Sequence, residues 1–314
     1  MSTYLITGMA GSLAQLVCKS LLAQGHEVIG VDHRPRPAYL PDSYTYYQGN
    51  YNKAGFEDVI RRHRPEVMVH LGRVGNLKMQ VGKRFDLNVI GTGKVMELSL
   101  KYGVDRLLVL STFHIYGAHA NNHIPIFEDE PLRAGSTFPQ IADAVQLDNM
   151  AQQWIYRHPK LRTIVLRPCN IIGPDIRNAI SRYLRNPRLF YIFGFSPMWQ
   201  FIHQDDMVRA ILSLLDHGQP GVYNAAGAGA IPLVDALAIT GKPVSAVPGP
   251  LASTFLTVQS RFKSAFPPYL LDFFRYHCVI SDDKLRKAIG YEPRVGITEA
   301  IQSCVQGPSP ASSN

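Results

Sequence analysis

The 314-residue chain has little of what marks several protein classes. Its four cysteines, Cys18, Cys169, Cys278 and Cys304, lie far apart with no Cys-x-x-Cys pair, and its eleven histidines are equally dispersed. A disulfide scaffold or a structural zinc site needs closer, repeated spacing, so neither is expected and no metal is assigned. No apolar run approaches the ~20 residues needed to span a bilayer, so no membrane partner is expected. The opening residues read as a strand rather than a charged and apolar leader, which leads us to expect a cytoplasmic protein with reduced thiols. Charged residues are only 18% of the chain against 46% hydrophobic, the profile of a folded protein with a large core and not of a disordered one. The net charge is +8, but the cations are scattered and no tract forms a basic arm. That surplus suits a small anionic ligand better than nucleic acid, and no nucleic-acid partner is expected.

What is present is alternation. Strand-like runs at 4–6, 27–31, 67–71, 106–110 and 163–166 are separated by helical patterns at 12–23, 55–63, 88–101 and 141–156. This β-α-β-α order predicts an α/β protein with a Rossmann-like, doubly wound parallel sheet. After Pro168 the alternation breaks, with Pro174, Pro187, Pro197, Pro220 and Pro232 punctuating shorter elements. We therefore expect a dinucleotide-binding domain over 1–170 and a smaller C-terminal substrate-binding lobe over 171–305, with segments near 201–227 returning to the first domain. The aromatic-rich stretch 251–280 reads as the core and cleft lining of that lobe. Residues 306–314, rich in Ser, Pro and Gly, read as a disordered tail.

The strongest motif is Thr7-Gly8-Met9-Ala10-Gly11-Ser12-Leu13-Ala14, placed between the first strand and the first helix. Gly8 permits the tight turn, Gly11 lets the backbone approach a pyrophosphate, and the small Ala14 lets the helix pack closely on the sheet. The helix start offers N–H groups and a dipole to the phosphates. Asp32 closes the second strand, 24 positions after Gly8. A carboxylate there accepts bonds from both ribose hydroxyls and repels a 2′-phosphate, which favours NAD; His33, Arg34 and Arg36 beside it keep NADP as the alternative.

With Asp32, the segments Val69-His70-Leu71, Asn88-Val89-Ile90-Gly91-Thr92, Ser111-Thr112…Tyr116-Gly117, Leu166-Arg167-Pro168…Gly173-Pro174, Phe201-Ile202-His203-Gln204-Asp205-Asp206 and Gly221-Val222-Tyr223-Asn224-Ala225-Ala226-Gly227 occur in order. Together these resemble the extended short-chain dehydrogenase/reductases, the NAD-dependent epimerase/dehydratase group, over roughly residues 3–300. The resemblance implies cofactor contacts from Gly8 to Leu13, from Asp32, His33 and Arg34, and from Asn50, Tyr51, Leu71, Gly72, Asn88 and Pro168. It implies substrate contacts at Asn170, Gln200 and His203, although Gln200 stands where nucleotide-sugar members often carry Arg. It also implies a homodimer packed through the helices at 88–101 and 141–156.

Catalysis is where the pattern departs from the family. Members use a Ser or Thr hydroxyl with a Tyr-x-x-x-Lys pair, in which the cation lowers the phenol pKa so that it can take a proton. Thr112 supplies the hydroxyl, and Tyr116 follows in the Tyr-Gly turn. Aligned on Pro139 and Asp148, however, the Tyr position holds Gln140 and the Lys position Ala144. The literal match Tyr156 to Lys160 comes 16 residues too late and contains Pro159. His114, which titrates near neutrality when unperturbed, and Asp143 are the candidate substitutes. The resulting expectation is an oxidoreductase with altered proton chemistry acting on a small hydroxyl or carbonyl compound. A non-catalytic NAD(P)-binding protein and a redox-neutral lyase or isomerase are the alternatives.

Overall fold

The structure is a computed structural model that describes residues 1–37, 43–75, 79–249 and 269–307. Seven parallel strands form the central sheet: β1 (Thr3–Thr7), β2 (Glu27–Asp32), β3 (Thr45–Gln48), β4 (Val67–His70), β5 (Arg106–Leu110), β6 (Arg162–Pro168) and β10 (Gly221–Ala225). Their spatial order is β10-β6-β5-β4-β1-β2-β3. The chain winds outward from β1 to β3, then returns across β1 to begin the other half at β4. This reversal opens a crevice above the C-terminal ends of β1 and β4, the place where open α/β sheets bind ligands.

Both faces of the sheet are covered because successive side chains point to opposite sides. Tyr4, Ile6, Val67, Val69 and Leu108 join a core with α1 (Ser12–Ala23). Leu5, Met68, Leu107 and Val109 join a second core with α2 (Ala54–His63), α4 (Thr92–Lys101) and α6 (Ala142–Arg157). Strand β3, Thr-Tyr-Tyr-Gln, is a polar edge strand with no apolar run to announce it. The long helix anticipated over 88–101 is composite: α3 (Val81–Phe85), a π-helical turn (Asp86–Gly91), then α4.

Beyond β6 the elements are smaller. Strands β7 (Asn170–Ile172), β9 (Met198–His203) and β11 (Ala230–Pro232) form a three-stranded sheet, and β8 (Leu189–Ile192) pairs with β12 (Val244–Val247). After β9, α8 (Gln204–His217) packs beside α1, and β10 joins the central sheet next to β6. Much of the 251–280 aromatic stretch, and 308–314 of the anticipated tail, lie outside the described residues; Gln306 itself ends a helix, Ile297–Gln306.

A fully buried ion pair ties together the elements at the β10–β6 end of the central sheet. Arg167 on β6 donates from Nε and Nη2 to the two Asp148 oxygens on α6, at 3.0 and 2.6 Å. Its Nη1 donates to the Tyr116 hydroxyl at 2.7 Å, and that hydroxyl donates to Asn224 Oδ1 on β10 at 2.8 Å. The Arg167 guanidinium thus links β6 to α6 and the Tyr116 turn directly, and to β10 through the Tyr116 hydroxyl. Asp148→Ala strands that cation without a counter-charge, so equilibrium denaturation should show a loss of about 3–5 kcal/mol. Replacing both partners with apolar residues of similar size should cost much less.

Candidate active site

The turn after β1 is set by close backbone contact. Gly8 has φ +73°, and a Cβ there would sit 2.7 Å from Gly72 Cα in the loop after β4. Its N–H donates to Val31 O on β2 at 2.9 Å, and Gly11 N donates back to Gly8 O at 2.8 Å. A Cβ on Gly11 would stand 3.0 Å from Gly8 O, so only glycine keeps this surface bare. Gly11 immediately precedes α1, and no side chain caps the start of that helix. Met9 is buried against Gly30, and Leu13 and Ala14 pack into the core. The bare turn and uncapped helix start fit the pyrophosphate of a dinucleotide.

Asp32, at the end of β2, faces this turn. Its Oδ2 accepts from Ala10 N at 3.0 Å. Arg34 grips the same carboxylate through its backbone N–H and Nε to Oδ1, both at 3.0 Å, and through Nη2 to Oδ2 at 2.8 Å. Burial pushes the Asp32 carboxyl up, but the Arg34 and Ala10 bonds outweigh it and hold the group below the usual carboxylate range. His33 Nδ1 lies 3.2 Å from Oδ1. Gly49 N donates to Asp32 O, placing the Asn50 turn beside this carboxylate.

At the ends of β1 and β4, His70 is enclosed between two threonines. Thr92 Oγ1 donates to Asn88 O at 2.6 Å, so it receives the Nε2 proton of His70 at 2.9 Å. Nδ1 then accepts from Thr7 Oγ1 at 2.6 Å, and the ring is the neutral Nε2–H tautomer. Tyr51 is buried, its ring on His70 and its hydroxyl donating to Gly72 O at 2.8 Å. Leu71 N donates to Thr7 O, and Asn88 braces the following loop through paired bonds with the Val74 backbone. Pro168 closes β6 at the same end of the sheet.

Thr112 follows β5 and caps the turn Phe113–Tyr116, with Oγ1 3.0 Å from His114 Nδ1. Burial, reinforced by the Arg73 cation, pushes the His114 pKa down to about 3, so the ring stays neutral at physiological pH. That removes the near-neutral titration expected of it. Tyr116 belongs to the Arg167 network, with its hydroxyl protonated by burial. The side chain of Gln140 is exposed, and its backbone carbonyl accepts from Arg84 Nη2 at 2.5 Å. Asp143 is buried; its Oδ2 accepts from Arg84 Nε at 2.8 Å and from Asn88 Nδ2 at 2.6 Å.

Three residues that the motif reading passed over stand here. Arg84 locks Asp143, half-buried Arg73 follows Leu71-Gly72, and Tyr269 comes from the C-terminal part of the chain. Arg73 Nε is fully enclosed without a hydrogen-bond partner. None of the three belongs to a contiguous motif; the enrichment of aromatics around Tyr269 was the one signal available.

The anticipated substrate residues divide. His114, Asn170 and Gln200 line one small internal cavity with Phe113, Trp199 and Phe273. Both amide atoms of Gln200 already serve the Ile280 backbone, and Asn170 Nδ2 donates to Gln200 O at 3.1 Å. His203 instead caps α8, accepting from Asp205 N.

Residues 4–226 match the NAD dependent epimerase/dehydratase family. The chain belongs to that family. It is 26% identical over 327 aligned positions to a UDP-glucose 4-epimerase of Mycolicibacterium smegmatis, covering 96% of this chain and 97% of that one. A probable UDP-glucuronate 4-epimerase of Rhizobium meliloti is 28% identical over 247 positions, 70% of each chain. Among solved structures, MoeE5 in complex with UDP-glucuronic acid and NAD superposes with a TM-score of 0.77 at 21% identity, over 97% of this chain and 98% of that one. At that identity the likeness establishes the fold.

Two measurements follow from this geometry. Arg34 both occupies Asp32 and offsets its charge, so Arg34→Ala should sharpen discrimination against NADP in favour of NAD by about tenfold, ~1.4 kcal/mol, in calorimetric titrations. His70 and His114 have folded-state pKa values of about 3, below the ~6.5 of an unfolded histidine, so the unfolded chain binds more protons between these limits. The stability they allow is complete above pH ~6.5 and falls as pH drops, by about 2 kcal/mol per histidine at pH 5. Chemical denaturation of His114→Asn should show a correspondingly flatter loss between pH 7 and 5.

Proposed function

We propose that the cleft above β1 and β4 holds NAD and that the chain carries out hydride chemistry on a small hydroxyl or carbonyl compound. The observation that carries this reading is the Asp32 carboxylate held against Ala10 N at the edge of the bare Gly8–Gly11 turn. Asp32 would take the adenosine ribose hydroxyls, with Arg34 moving aside, and the start of α1 would take the phosphates. NAD supplies the two-electron acceptor for a carbinol carbon when bound. Thr112 Oγ1 would hold the reacting oxygen by a hydrogen bond, oriented through His114 Nδ1 at 3.0 Å.

Proton handling differs from the family pattern. Gln140 carries an amide that does not titrate usefully, its side chain is exposed, and Ala144 supplies no cation. Both identified relatives act on sugars carried by UDP, which supports a polyhydroxylated substrate, whereas Gln200 provides no positive charge for a diphosphate.

Calorimetry should give saturable NAD binding that weakens at least tenfold, ~1.4 kcal/mol, in Asp32→Ala. On a panel of sugar and polyol substrates followed at the reduced nicotinamide band, Thr112→Ala should lower turnover about 10²–10³-fold with NAD affinity intact. Absence of NAD affinity in the unmodified chain overturns the reading.

A further inference from the structure

We propose that Tyr269, with Arg73 as its fixed counter-charge, is the proton-transfer pair of this site, replacing in space the Tyr and Lys missing at positions 140 and 144. The inference rests on the reading that the cleft holds NAD.

Position is the first argument. The Tyr269 ring packs on the cluster that contains Phe138, Ile141 and Ala144. Ala144, the residue at the aligned lysine position, belongs to that cluster. The Tyr269 ring also meets His114 edge-on, with centroids 5.6 Å apart at 90°, and His114 Nδ1 is 3.0 Å from Thr112 Oγ1. The phenol thus lies one ring from the hydroxyl assigned to the reacting oxygen.

Chemistry is the second. Among the described residues half-buried Tyr269 makes no hydrogen bond, so its hydroxyl is not committed to another group. The charged groups facing it are Arg73 and Arg84, which favour the phenolate, and Asp143, which opposes it; His114 is neutral. Burial outweighs the two cations and pushes the phenol up to about 12. Arg84 is committed to Asp143 and the Gln140 carbonyl. Arg73 makes no ion pair among the described residues, and its Nε has no acceptor. A guanidinium cannot lose its proton, so Arg73 is a permanent charge of the kind the missing lysine supplies.

The step balances without another reactant. In oxidation the carbinol O–H bond breaks and its proton passes to the Tyr269 phenolate oxygen. The former O–H electron pair becomes the carbonyl π bond as the carbinol carbon releases hydride, with two electrons, to the nicotinamide. Reduction returns the proton from the Tyr269 hydroxyl to the new alkoxide.

The test reads the phenol directly. Tyrosinate absorbance of the full chain is titrated with and without saturating NAD, and the Tyr269→Phe titration is subtracted to isolate one phenol. Without NAD that phenol should remain protonated through pH 10. With NAD, whose oxidised ring adds positive charge, its midpoint should fall by about two pH units or more, and Arg73→Met, which removes a charge present in both titrations, should raise the midpoint with and without NAD. Tyr269→Phe keeps the ring, so calorimetry should show NAD affinity unchanged while turnover on a responsive substrate drops about 10²–10⁴-fold. NAD binding with an unmoved Tyr269 titration overturns this assignment alone. No NAD binding overturns the cofactor reading and the assignment together.

Discussion

The site depends on two loops meeting with nothing but backbone between them. The turn after β1 and the loop after β4 touch where the strand order reverses, and a single Cβ at Gly8 would fall inside van der Waals contact with Gly72. This contact brings three separate pieces of the molecule to one crevice. One is the uncapped start of α1, another is the carboxylate closing β2, and the third is the buried His70 bridge below them. Tyr51 fills the space beneath Gly72 and leaves a pocket floor that is rigid and almost free of side chains. A nucleotide needs such a floor because its phosphates bind main-chain N–H groups directly.

Beside that floor lies a buried ion pair, Arg84 with Asp143. Asp143 stands in the first turn of α6, neutralised by Arg84 from α3 and steadied by Asn88 from the π-helical turn. The extra backbone residue in that turn has a local counterpart: Asn88 reaches both Val74 and Asp143 from it. Arg73 after β4 and Arg84 on α3 both bring positive charge to this side of the cleft. Burial and the neighbouring Arg84 push the Arg73 pKa down, but a guanidinium starts far enough above neutrality to keep its charge where a buried lysine can lose it.

The fold was largely legible because its determinants are local and periodic. Apolar runs such as Val67–His70 and Arg106–Leu110 stand between amphipathic helices, and the β-α-β-α reading follows from that order. The polar strand β3 left no such trace. The π-helical turn did not either, since one added residue barely disturbs an apolar stripe. The glycine turn and Asp32 were readable for the same reason: they are contiguous or stand at a fixed offset. His114 misled because its solution pKa says nothing of the burial and the neighbouring cation that govern it here. Tyr269, Arg73 and Arg84 were invisible as a group; nearly two hundred positions separate the tyrosine from the arginines, and only tertiary packing unites them.

Segments from the C-terminal part of the chain are stitched to the loop after β5 close to this site. Asn122 donates to both Gly117 O and His277 O, and Ile126 exchanges backbone bonds with Val279 and Ser281. These stitches fasten the segment that follows Tyr269 to the chain that leaves Thr112. The aromatic wall and the strand end facing it therefore form one mechanical piece, and the separation of phenol from threonine is held to a fixed span. Diversification of this architecture toward new ligands is consequently channelled into stretches outside the seam, where residues can change without altering that spacing.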